Sequence, residues 1–260
     1  MVKTISSKEN PTVKQVAKLV SSRSQRKKEN IFVCEGFVLL EEALRSGLAL
    51  QQVFCLEDRL EKLPRGLACD VFAVPAAVLQ RISDVEQPQG VVFTCRMPAV
   101  PAELTGTRFL ALDNLRDPGN LGTILRTAEA FGLDGVVLVG DCVDLFSPKT
   151  LRSAMGSAFR LPVYRAESAA ALRGLLPSGV PMYAAALEES SRSILGTDLC
   201  RACVVIGNEA HGVSRETLEA CDGSLIIPIH TAESLNAAVA ASVFAWEMAR
   251  QSAEAARSNI

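Results

Sequence analysis

The sequence predicts an α/β protein: a parallel-sheet domain on the C-terminal side, preceded by a smaller α/β unit. Three observations carry this. From about residue 106 onward, short apolar runs of strand length alternate with segments whose apolar residues recur at helical spacing. Three glycine- or asparagine-rich corners, at 113–122, 207–212 and 230–236, follow such runs, where parallel sheets bind ligands. The segment Met97-Pro98-Ala99-Val100-Pro101-Ala102 has two prolines and no periodicity, and the charge balance changes sign across it.

The elements follow in order. Pro11 to Val20 places Val13, Val16, Ala17 and Val20 on one helical face. Ile31–Cys34 has the apolar character of a strand, and Phe37–Leu44 that of a helix stopped at Gly47. Val53–Leu56, Val71–Val74 and Val91–Thr94 are further strands, with a short helix at Pro75–Ile82. Beyond the proline segment, strands are expected at 108–113, 135–139, 182–186, 202–207 and 224–229. Helices are expected at 121–131, 148–155, 167–176, 214–220 and 234–250. Short apolar strands separated by helices imply a parallel sheet covered on both faces. The boundaries are set at 1–98, a linker at 99–105, and 106–260.

Composition narrows the class. The 260 residues are 48% hydrophobic and 22% charged, as in a soluble globular protein. No apolar stretch reaches the roughly 18 residues of a membrane span. Residues 1–30 lack the apolar core of a secretory signal, so a cytoplasmic location is expected. One Trp and two Tyr argue against an aromatic-lined carbohydrate site. The net charge of –2 hides an asymmetry. Residues 1–98 carry 14 Lys/Arg against 11 Asp/Glu, residues 99–260 carry 13 against 18, and residues 1–30 alone carry 8 against 2. A basic arm on a mildly acidic protein points to a polyanionic partner. The eight cysteines lie mostly in apolar runs and suit reduced, buried thiols. Cys200 and Cys203 form a lone CxxC with no second pair or nearby His pair, so no metal is expected.

The corners carry the chemistry. The first runs through Asp117-Pro118-Gly119-Asn120-Leu121-Gly122 into a helix with Arg126 on its early turns. It matches neither GxxxxGK[ST] nor GxGxxG, which disfavours an ordinary P-loop or dinucleotide enzyme. Taken alone, Arg126 is either a solvated helix residue or part of a site. In the second corner a buried strand enters Gly207, where backbone can approach a ligand closely, and Asn208 and Glu209 follow at once. Those two either close a turn or reach the ligand, and Ser214 suits the cap of the next helix. His211 reads as an exposed loop residue. The third corner, Pro228 to Asn236, leads into an alanine-rich helix. There Ser234 or Glu233 can cap, and Asn236 is an odd polar group needing a partner.

Three sets of residues, in this order, resemble the three signature motifs of the SPOUT methyltransferase superfamily in its TrmH (SpoU) branch: Asn120, Gly122 and Arg126; Gly207, Asn208, Glu209 and Gly212; and Ile227, Pro228, Ser234, Leu235 and Asn236. The resemblance is strong over about 106–253 and weaker over 1–95, where Gln87-Pro88-Gln89-Gly90-Val91-Val92 resembles the end of a ribosomal-protein-like RNA-binding domain. It implies a trefoil-knotted C-terminal domain, a homodimer, and transfer of a methyl group from S-adenosylmethionine to a ribose 2′-OH of RNA. Ribosomal RNA is favoured over transfer RNA, and a non-catalytic RNA-binding or assembly protein is the alternative. The donor would lie against loops at 185–189, 207–212 and 227–235, with Leu187, Gly207, Glu209, Ile227, Ile229, Ser234 and Leu235 around it. Arg126 would anchor phosphate and help activate the hydroxyl. Glu209 and Asn236 would hold Arg126 and the cofactor in place, and Asn120 and Ser234 would complete the polar site. Arg23, Arg26, Lys27 and Lys28 would contact RNA phosphates. The stretch from Ile227 to Ser234 is a residue shorter than the common family pattern, which often has a glycine near Thr231.

Overall fold

A computed structural model describes residues 2–100, 103–230 and 234–258. In chain order its elements begin with β1 (Val2–Thr4), α1 (Pro11–Ser21), α2 (Arg23–Glu29), β2 (Ile31–Glu35), α3 (Phe37–Arg45), β3 (Leu50–Leu56), a 3-10 turn (Glu57–Lys62), β4 (Asp70–Val74), α4 (Ala76–Arg81) and β5 (Val91–Arg96). They continue with β6 (Arg108–Asp113), α5 (Pro118–Ala130), β7 (Gly135–Val139), α6 (Pro148–Ala154), α7 (Ser157–Arg160), β8 (Val163–Ala166), α8 (Ala169–Leu175) and β9 (Met182–Ala185). The last are β10 (Arg192–Ser193), β11 (Ala202–Ile206), α9 (Arg215–Ala220), β12 (Gly223–Ile226) and α10 (Ala237–Ser258). The chain divides into two compact units. One takes the chain up to Ala99 together with Asp144–Phe159; the other takes Val100–Val143 and the chain from Arg160 onward.

The first unit is a mixed sheet in the order β1-β4-β3-β5-β2. β1, β4 and β3 run parallel, and β5 is antiparallel to both β3 and β2. One face is covered by α1 and α4. Asn10 caps α1 by accepting the Thr12 N–H, Pro11 starts it, and Val13, Val16 and Leu19 meet Val78, Leu79 and Ile82 over Phe54, Phe72 and Val92. On β2, Phe32 stacks on Phe146 at 5.0 Å between ring centroids and lies 6.0 Å from Phe159. Part of this unit's core is therefore supplied by residues 144–159, which the expected boundary at 99–105 assigns to the other half. Arg152 completes the attachment with an ion pair to Asp84.

The basic arm needs a correction. Arg26 lies on α2, but it is only 4% exposed. Its Nε and Nη2 donate to Asp144 Oδ2 at 3.0 and 2.7 Å, and its Nη1 donates to the carbonyls of Leu19 and Val20. With its donors aimed inward, Arg26 cannot serve an RNA phosphate. Lys27 and Lys28 are exposed, and Arg23 is half-buried.

The second unit holds seven parallel strands in the order β10-β12-β9-β11-β6-β7-β8. The expected sheet is present, with two short strands added, β8 and the two-residue β10. β12 stops at Ile226, ahead of Pro228, because proline cannot donate to a sheet ladder. The last helix starts at Ala237, three residues later than the spacing predicts. Asn236 is its cap, accepting the Ala238 and Val239 N–H groups at 2.8 and 3.3 Å. Of the caps expected there, Ser234 does not serve and Glu233 lies outside the described residues. Asp117 caps α5 by accepting the Asn120 N–H, with Pro118 in the first turn. Ser214 caps α9 as expected. α10 packs against α5, β11 and β6.

Candidate active site

The sheet order locates the site. From β6 the chain crosses by α5 to β7 on one side; from the adjacent β11 it crosses by α9 to β12 on the other. Two neighbouring strands with diverging connections leave a crevice at their carboxyl ends, the usual ligand position in open α/β sheets. A cleft of about 760 Å³ opens there, lined by Asp113, Asn114, Arg116 and Asp117 from the first corner and Asn208 to Gly212 and Ser214 from the second. β12, β9 and β11 are also neighbours, so the loops starting at Ala186, Gly207 and Ile227 leave the sheet side by side.

Three predicted residues form one hydrogen-bonded chain. Glu209 accepts the Arg116 N–H (3.1 Å), the Asp117 N–H (2.9 Å) and the Asn120 side-chain amide (3.1 Å). Asn120 in turn accepts from the Asn236 amide at 3.1 Å. One member from each corner is thus joined. Partial burial pushes the Glu209 carboxyl up, but the Asp117 N–H, the Asn120 amide and the Arg116 N–H outweigh it, so its pKa lies below the ordinary carboxylate value. It is therefore an anion at neutral pH, held on the amides before α5.

Arg126 is exposed on α5 and makes no hydrogen bond or ion pair among the described residues. This differs from the expectation that Glu209 and Asn236 grip it: the Glu209 oxygens are occupied by main-chain N–H groups and Asn120, and Asn236 is spent on Asn120 and its own helix cap. Ser234 is exposed, Leu235 half-buried, and Ile227 half-buried. Leu187 is 80% exposed and Ile229 38%, which leaves two apolar side chains standing on adjacent loops.

Gly207 is required by its backbone. A Cβ there would lie 2.1 Å from the Gly212 carbonyl carbon and 2.2 Å from the Val213 nitrogen. The approach closes the 207–212 loop, in which Asn208 and Gly212 exchange two backbone hydrogen bonds. Gly207→Ala cannot be relieved by a side-chain rotation. We expect a cost at the upper end of overpacking, about 3 kcal/mol. Melting curves would check it, and an unchanged melting temperature would count against the close approach.

Several residues of the cleft were not singled out from the sequence, chief among them Asp113, Asn114 and Asp117. Asp117-Pro118 with Asn120 is a helix-start signal that could have flagged Asp117. Asp113 is a carboxylate closing an apolar run, and nothing in the run itself separates it from an ordinary strand end. All eight cysteines are free. Burial raises the thiols of Cys200 and Cys203, and takes Cys221 up to about 12. Among the described residues no three His, Cys, Asp or Glu side chains cluster as metal ligands, and no helix is long and apolar enough to cross a membrane.

A parallel sheet with a polar cleft at its reversal point, bordered by Glu209 of an asparagine–glutamate hydrogen-bonded chain, defines an α/β ligand-binding domain. Comparison with known proteins makes the class particular. Residues 107–246 match the model of the SpoU rRNA Methylase family, and residues 10–92 match an MRM3-like substrate binding domain. The chain belongs to the SpoU rRNA methylase family. It is 37% identical over 250 residues to the 23S rRNA (guanosine(2553)-2′-O)-methyltransferase RlmP of Bacillus subtilis, covering 95% of this chain and 99% of that one. The AdoMet-bound rRNA methyltransferase of Sinorhizobium meliloti superposes with a TM-score of 0.84 at 32% identity, over 96% of this chain and 98% of that one. The SpoU methyltransferase AviRb of Streptomyces viridochromogenes, in complex with AdoMet, superposes with a TM-score of 0.84 at 26% identity, over 94% and 98%.

Proposed function

We propose that this protein transfers a methyl group from S-adenosylmethionine to a ribose 2′-OH of ribosomal RNA. The observation that carries the reading is the Glu209–Asn120–Asn236 chain, which ties the three corners together while Arg126, on the same helix as Asn120, has no partner among the described residues. The adjacent loops after β9, β11 and β12, with Leu187 and Ile229 exposed, suit an adenosine flanked by apolar side chains and main-chain groups.

S-adenosylmethionine supplies a methyl group that is already electrophilic, so the protein's work is to position and activate the acceptor. Arg126 anchors an RNA phosphate and helps activate the hydroxyl. An arginine side chain does not give up its proton in a protein and so makes a poor base; the RNA phosphate shares the departing proton. Glu209 keeps the start of α5 in register with the donor loop, and Ser234 and Asn236 border the acceptor side.

The same reading assigns residues 1–98 to RNA binding, 99–105 to a linker and 106–260 to the methyltransferase domain with a knotted C-terminal path. It also places the protein in the cytoplasm as a homodimer. The dimer is supported by α10, where Val239 and Trp246 are 49% and 53% exposed beside a groove of about 470 Å³ shared with Asn120 and Thr123 of α5. Lys27 and Lys28 are the exposed cations left on α2 for phosphate contact. Replacing both with alanine should flatten the plot of log affinity for RNA against log salt by about 1–2 units of slope. An unchanged slope removes them from the RNA interface.

The direct test is transfer of label from S-adenosylmethionine to ribosomal and transfer RNA lacking the modification. Label in ribosomal RNA supports the proposal. Label confined to transfer RNA reassigns the substrate, and failure to bind S-adenosylmethionine at all favours an RNA-binding protein on this fold.

A further inference from the structure

We infer that Asn114 is a positioning residue for methyl transfer, locking the loop that carries Glu209 onto the loop that starts α5. The inference rests on the reading of this cleft as the methyl-transfer site.

Asn114 sits in the left-handed region, φ 54°, which asparagine tolerates better than other side chains. Each of its four polar groups bonds to a different place. Its N–H donates to the Val139 carbonyl at the end of β7 (3.1 Å), and its carbonyl accepts from the Asn208 side chain (2.8 Å). Its Oδ1 accepts the Asp141 N–H (3.0 Å), and its Nδ2 donates to Asp113 Oδ1 (2.7 Å). Asp113, 2% exposed, uses its other oxygen to accept the Ser214 N–H at 2.8 Å. Gly140 makes room: a Cβ on it would lie 2.7 Å from Asn114 Oδ1.

The consequence lies in the spacing along the two chains. Asn208 precedes Glu209, and the Arg116 and Asp117 amides that hold Glu209 come just after Asn114. The two loops are therefore pinned at consecutive points, Asn114 to Asn208 and then 116/117 to Glu209. The Asn114 side chain, through Asp113 and Asp141, fixes the carbonyl that makes the first of these; letting that carbonyl shift leaves Glu209 and Asn120 to find their places through the second alone. A displacement of about 1 Å in such a site can cost about a hundredfold in rate.

Asn114→Asp tests this with a built-in signal. It keeps the shape and the tolerance of positive φ, but sets a second carboxylate against buried Asp113. Two such groups cannot both ionise, and one titrates well above the ordinary range. The pair holds a proton, and the Asn114-type hydrogen bond survives, only at low pH. Transfer of label from S-adenosylmethionine to in-vitro-transcribed 23S rRNA should then show kcat relative to the unaltered protein reduced about tenfold or more at pH 8 and recovering as pH falls toward about 5, with KM for RNA little changed. Asn114→Gly, which keeps the positive φ and removes both side-chain bonds, should be slow at every pH with no recovery. A purely structural role predicts lower melting temperatures but an unaltered kcat per folded molecule and a flat ratio across pH. A flat ratio for Asn114→Asp, or a normal kcat for Asn114→Gly, beside an active unaltered protein overturns the inference alone. No transfer by the unaltered protein overturns the reading of the cleft, and the inference with it.

Discussion

Arg126→Ala will lower kcat for methyl transfer by about 10²–10³-fold, the usual cost of deleting one group that stabilises charge in a transition state, and will leave S-adenosylmethionine affinity essentially intact. The expectation follows from where the side chain stands. Arg126 is exposed on α5, without a hydrogen bond or ion pair among the described residues, so its removal orphans none of them. Its helix starts at the cleft, capped by Asp117 and joined through Asn120 to Glu209. Among the described residues this guanidinium has no partner, which leaves it for the substrate. Arg126→Lys should recover part of the loss, since an ammonium keeps the charge but not the planar two-donor fork that suits a phosphate. Single-turnover kinetics with saturating RNA, beside calorimetry for the donor, separates the two effects. A kcat near that of the unaltered protein would remove Arg126 from the chemistry. Donor affinity falling in step with kcat would make Arg126 a cofactor-side residue.

The parts of the molecule legible in the sequence are those set by short-range pattern. Alternating apolar runs and helical spacings marked most of the strands, because each buries its own side chains whatever its neighbours are. What escaped depends on pairing partners. β10 is two residues, Arg192 and Ser193, held only by register against Leu225 and Ile226. β1 is three exposed residues that pair with Val71–Ala73. No periodicity survives at that length. The site divides the same way. Asn120, Glu209 and Asn236 were readable as polar residues at strand-end corners, and the structure links them. Asn114 was not, since its importance lies in bonds to Val139, Asp141 and Asn208, which the linear chain keeps apart. Arg26 shows the opposite error: beside Lys27 and Lys28 it reads as one more cation of a basic arm, yet the helix turns it inward toward an aspartate 118 residues away.

That inward turn carries the second large expected effect. Arg26 and Asp144 are an ion pair with side chains only 5% and 9% exposed. The pair sits where residues 144–159 join the sheet of the first unit, and Asp144 also organises that segment: its carboxylate accepts the Phe146 N–H and its carbonyl accepts the Thr150 hydroxyl. Removing one partner of a buried pair strands the other charge, at about 3–5 kcal/mol. Arg26→Ala and Asp144→Ala should each therefore lower the melting temperature by about 6–20 °C, taking about 2–4 °C per kcal/mol for a chain of this size. The double variant Arg26→Met with Asp144→Leu should regain much of the loss, because replacing both charges with apolar groups removes the burial penalty along with the attraction. RNA binding gives the contrasting readout. At a temperature where the variants stay folded, Arg26→Ala should keep the salt slope of the unaltered protein, whereas a phosphate contact would reduce it by nearly one unit. A reduced slope with an unchanged melting temperature would return Arg26 to the RNA interface. A large loss of stability with the slope intact would fix it as the residue that fastens the 144–159 segment to the first unit's sheet.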